Sequence, residues 1–84
     1  MDTATTKHDA LRNALVLAGQ RLAANNVHGR FRLTRRPRSV LVTFRGQGGN
    51  SVRIDVEALV AVVDHARLAG FEAERVGLEV RIAA

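Results

Sequence analysis

The chain has no cysteine, tryptophan or tyrosine and one proline, and between residues 10 and 54 it has no acidic residue. Each absence excludes something. Without cysteine, neither a disulfide nor thiolate–metal ligation can supplement the hydrophobic core. His8, His28 and His65 are scattered, without the spacing of a metal site, so neither metal nor cofactor is expected. The three phenylalanines pattern as core or cap residues, which leaves no aromatic platform on which single-stranded bases would stack. The longest apolar run, Ala58 to Val63, stops at Asp64, far short of the ~20 residues that span a bilayer. The first ten residues, MDTATTKHDA, carry acids where a secretory signal would be basic and then apolar. A cytoplasmic protein with no membrane partner is expected.

What remains is a globular composition, 46 % apolar and 25 % charged over 84 residues. That is one domain, small enough that its core needs tight packing or a second subunit. A homodimer is therefore expected. Arginine outnumbers lysine twelve to one, a skew that GC-rich coding also produces. The distribution of charge is more telling than its sum of +5. Residues 1–9 net −1, residues 10–54 carry nine arginines and net +9, and residues 55–84 net −3. Such asymmetry suits a polyanionic partner or an acidic protein surface.

Hydrophobic periodicity gives the elements. Thr6 with Asp9 resembles a capping box, and Leu11, Ala14, Leu15, Ala18 and Leu22 form one helical stripe ending near Asn25-Asn26. Two alternating segments follow. Phe31 and Leu33 oppose Arg30, Arg32 and Thr34, while Val40, Val42 and Phe44 oppose Leu41, Thr43 and Arg45. A turn at Arg35-Arg36-Pro37-Arg38 joins them, with Phe31 set opposite Val42 and Leu33 opposite Val40. Beyond the glycine-rich GQGGN, Val52 and Ile54 alternate with Ser51 and Arg53, which predicts a third strand set against Phe44. Asp55 predicts the N-cap of a second helix buried through Val56, Leu59, Val60, Val63 and Ala66. Gly70 and Phe71 predict its end. Val76, Leu78, Val80 and Ile82 predict one last strand. The expected fold is an α+β two-layer sandwich in the order α-β-β-β-α-β, with two helices packed on one face of a mostly antiparallel four-stranded sheet. A right-handed crossover sets the last strand parallel to the first. Residues 6–84 form the domain and residues 1–5 a disordered tail. Double-stranded-RNA-binding domains share part of this order, but their second helix opens with a lysine cluster, where this chain has Asp55-Val56-Glu57.

No pairing of nucleophile and base, and no phosphate-binding loop, names a reaction: GQGGN lacks the Lys-Ser/Thr and following helix of a P-loop. The expectation is a non-enzymatic binding module. Arg30, Arg32, Arg35, Arg36, Arg38, Arg45 and Arg53 are the candidate contacts to a nucleic-acid backbone or an acidic protein, with most weight on the turn arginines 35, 36 and 38. The alternative is a homo-oligomeric adaptor. Its candidate self-association residues, lying off the predicted stripes or on the open sheet face, are Val16, Leu17, Leu41, Ala61 and Leu68.

Overall fold

The computed structural model describes residues 3–48 and 52–83. It is an α+β sandwich with elements α1 (Thr3–Ala24), β1 (Gly29–Arg35), β2 (Ser39–Gly46), α2 (Val52–Leu68), β3 (Ala73–Val76) and β4 (Glu79–Ala83). The order is therefore α-β-β-α-β-β. All strand pairs are antiparallel, and the sheet runs β1-β2-β4-β3.

Helix α1 buries the expected stripe, Leu11, Ala14, Leu15, Ala18 and Leu22. It starts a turn earlier than expected, so Thr6 lies inside it; residues 1 and 2 of the expected tail fall outside the described residues. Its end is a Schellman motif. Asn26 takes a φ of 61°, the Asn26 N–H donates to Ala23 O, and the Val27 N–H donates to Leu22 O. Helix α2 ends the same way, with Gly70 at φ 92° and the Phe71 N–H donating to Ala66 O.

The expected third strand does not exist: residues 52–54 open α2, and Asp55 lies within its first turn instead of capping it. Two alternating apolar positions fit a strand, but Ile54 is also one helical repeat before Ala58. The structure follows the helical period. Ser51, Gly49 and Asn50 fall outside the described residues. The buried face of α2 is Ala58, Leu59, Ala61, Val62, Val63 and Ala66, while Val60 is exposed and Val56 half-buried. An apolar run continuous around the helix carries no phase information. Packing supplies it, setting fully buried alanines on α2 in the same core as Ala14 and Ala18 of α1.

The fourth strand arises where one strand was expected. Gly77-Leu78 is a two-residue turn between β3 and β4, with Gly77 at φ 61° and Val76 paired to Glu79. Glycine at the first turn position is the type II′ signature. The turn sends Val76 to the outer face, away from Val80 and Ile82. Strand β4 pairs with β2, not with β1, and antiparallel. A hairpin returning after α2 allows that, where a single parallel crossover strand would not.

Both helices lie on the face carrying Val42, Val80 and Ile82, each fully buried and together with Leu59 and Val62 the centre of the core. Each such side chain contributes about 1.5–3 kcal/mol by leaving water. Helix α2 spans β2, β4 and β3. Helix α1 runs over β1: Leu11 and Leu15 share a groove with Leu33, while Gly19, Leu22 and Ala23 share one with Gly29 and Phe31. The opposite sheet face is left to solvent.

Candidate functional site

The β1–β2 hairpin closes more tightly than expected. Arg36 N–H donates to Ser39 O at 2.8 Å, leaving only Pro37-Arg38 as the turn. Proline at the first turn position supplies the φ that a common β-turn requires. The register therefore slips by two residues from the expected one, pairing Phe31 with Phe44, Leu33 with Val42 and Arg35 with Val40. An even slip keeps every side chain on its expected face but changes its neighbours.

The consequence is an arginine pair. Arg30 lies opposite Arg45, and Arg32 opposite Thr43. Hydrogen bonds at Arg36–Ser39 and from Gln47 N–H to His28 O place 30/45 among the hydrogen-bonded pairs of the ladder, with Cα atoms about 5.5 Å apart. Like charges in that position repel; at ~6 Å in a water-like dielectric the cost is about 0.7 kcal/mol. No described carboxylate offsets it. The ion pair among the described residues joins Arg21 to Asp64 on the helices, at 3.0 Å. Arg30, Arg32 and Arg45 are exposed on the outer face.

The sheet sets this patch apart. Strand β4 pairs with residues 39–42 of β2 and no further. Among the described residues, 43–46 are paired to β1 alone, so the stretch bearing Arg30, Arg32 and Arg45 is a two-stranded ribbon extending past the pairing with β4. Its inner face is anchored: the Phe31 and Phe44 rings meet with centroids 5.2 Å apart and planes tilted by 54°, and both pack against the core. Gly29 is required there, because a Cβ would come within 2.4 Å of Arg45 O and 2.5 Å of Phe44 Cζ. A cleft of about 500 Å³ lies beside it, between the end of α1 and the ribbon, lined by Leu22, Val27, His28, Phe31 and Phe44 among others.

The other expected contacts disperse. Arg35 turns to the helix side, where its Nη2 lies 2.7 Å from His8 Nε2. Arg36 and Arg38 remain exposed at the tip. Arg53 is not on the sheet but on the first turn of α2. With Arg35 on the helix side the turn trio is split between two faces, and the densest group of arginines on the outer face is Arg30, Arg32 and Arg45 at the opposite end of the hairpin. Of the expected self-association residues, Ala61 is 1 % exposed and has no surface to offer, because it packs in the core. Val16, Leu17 and Leu68 are exposed on the helices, and Leu41 is half-buried on the outer face.

A sequence signal for the true register was present. Residues 29–31 read Gly-Arg-Phe and residues 44–46 read Phe-Arg-Gly, mirror images that the ladder pairs one to one. Among the described residues no cluster of three or more His, Asp or Glu side chains suits a metal ion, and no helix is long and apolar enough to cross a membrane. No protein-family model matches the chain, and no curated protein or solved structure matches it.

Proposed function

We propose that the protein is a small basic binding module that docks on a nucleic-acid phosphate backbone through the outer face of its β1–β2 hairpin. The observation that carries this reading is the cross-strand pair Arg30–Arg45, flanked by Arg32 and without a carboxylate partner among the described residues. Guanidiniums held on a ladder are pre-positioned to donate bidentate hydrogen bonds to phosphate oxygens. A polyanion turns their mutual repulsion into attraction. Arg36 and Arg38 at the tip extend the basic surface: Arg36 follows the end of β1, six residues beyond Arg30 and about 20 Å from it. Threonines at 34 and 43 are small enough to let a backbone approach.

Fluorescence-anisotropy titrations of duplex DNA, duplex RNA and heparin at two salt concentrations test this. Saturable nucleic-acid binding, weaker for heparin and falling steeply with salt, is the expected result. Heparin binding as tightly as either nucleic acid would reduce the interaction to nonspecific polyelectrolyte attraction. The adaptor reading rests on exposed Leu68 (82 %), Val16 and Leu17. A concentration-dependent mass in sedimentation, with no nucleic-acid binding at moderate salt, would favour it.

A further inference from the structure

Resting on that reading, we infer that the ligand is duplex DNA and that the ribbon enters its major groove, with Arg30 and Arg45 reaching guanines on opposite strands. Three observations lead there. First, residues 29–32 and 43–46 are a two-stranded ribbon with no third strand beside them among the described residues. The major groove of B-DNA, roughly 12 Å wide, admits a two-stranded β-ribbon, whereas the deep, narrow major groove of A-form RNA does not. Second, the outward side chains are those that read base edges. Arginine pairs bidentately with guanine O6 and N7, and threonine contacts either base pair or the thymine methyl. All three phenylalanines pack against the core, so no phenylalanine ring on the outer face would stack an unpaired base.

Third, the ribbon is locally two-fold symmetric in both backbone and sequence. An antiparallel pair has a dyad perpendicular to its plane, and here it relates Gly29 to Gly46, Arg30 to Arg45 and Phe31 to Phe44. Identical residues at related positions make the symmetry chemical as well as geometric. A self-complementary base-pair step has the same symmetry, and two-fold readers match two-fold sites. One arginine per strand of a self-complementary G·C step satisfies it. Seating the ribbon dyad on the step dyad places Arg32 and the tip arginines toward the flanking phosphates.

The test compares four labelled probes: a DNA duplex centred on a CG step, the same duplex centred on TA, the CG sequence as duplex RNA, and its single strand. Tightest binding to the CG duplex is expected, about tenfold over TA and RNA. Dimethyl-sulfate methylation of guanine N7 on either strand of the central step should interfere. Arg30→Lys/Arg45→Lys keeps the charge and loses the bidentate fork. It should abolish the CG preference and the interference while leaving the salt dependence unchanged. Both positions are exposed, and an unchanged melting temperature would show that the variant folds. If duplex RNA binds as well as DNA, or N7 methylation is without effect, while Arg30/Arg32/Arg45→Ala still weakens binding, the groove assignment is wrong and backbone docking stands. Absence of binding to all four probes overturns both.

Discussion

The outer face of this sheet is built from two hairpins that meet the same solvent with opposite electrostatics. In β3–β4, Glu74 lies opposite Arg81, a cross-strand pair of opposite sign, and Glu79 lies opposite Val76. In β1–β2, Arg30 lies opposite Arg45 with Arg32 beside them and no acid on either strand. Opposite charges across a ladder contribute roughly 0.2–1 kcal/mol, and like charges cost a similar amount. One hairpin is thus arranged as a stable soluble sheet would be, and the other carries a local repulsion. General solubility explains the first. It does not explain the second, since an acid at position 30 or 45 would remove the repulsion and keep the surface polar.

The largest effects should come from breaking each hairpin at its glycine. Gly29→Ala drives a Cβ into Arg45 O and the Phe44 ring and should destabilise by about 3 kcal/mol in urea denaturation. Gly77→Ala meets no neighbouring atom but strains a φ of 61°, and about 1–2 kcal/mol is expected. Arg30→Glu sharpens the contrast because its two effects have opposite signs. It should weaken nucleic-acid binding at least tenfold in anisotropy titrations while raising stability by about 0.5 kcal/mol, as the 30/45 pair becomes attractive. Glu79→Gln, on the other hairpin, should strengthen binding only two- to threefold. The smallest effect belongs to the helices. Arg21→Ala removes a pair whose side chains are 48 % and 47 % exposed, and should change stability by less than about 0.5 kcal/mol and leave binding untouched.

The parts of the fold legible in the sequence were those fixed by local chemistry. Leu11 to Leu22 could only be one helical stripe, Asn25-Asn26 and Gly70-Phe71 announced their Schellman ends, and the face assignment of β1 and β2 followed from alternation. What escaped was set by relations between segments. Val52 and Ile54 satisfy period 2, while Ile54 alone also keeps the helical period with Ala58, so four residues could not distinguish a strand from a helix start. The β3–β4 turn hid inside an unbroken alternation from Val76 to Ile82, although Gly77 was the residue able to take a positive φ. Ala73-Glu74-Arg75 has no β-branched residue to announce a strand. The site was legible as composition but not as geometry. A two-residue error in register concealed the Arg30–Arg45 pair and put the weight on Arg35, whose guanidinium is engaged by His8.

The central claim is that position, not total charge, makes the ribbon a binding surface. Two variants of equal net charge test it most directly: Arg30/Arg32/Arg45→Ala on the ribbon, and Arg12/Arg53/Arg75→Ala elsewhere on the exposed surface. The measurement is the slope of log affinity for duplex DNA against log salt concentration. Loss of the three ribbon arginines should flatten that slope in the ribbon variant, by about 2.7 where all three neutralise phosphates and by about 0.9 where Arg30 and Arg45 sit on guanines and Arg32 alone does so. The second variant should keep nearly the wild-type slope. Equal losses in both would contradict the account, leaving the arginines of this hairpin as part of a diffuse positive field.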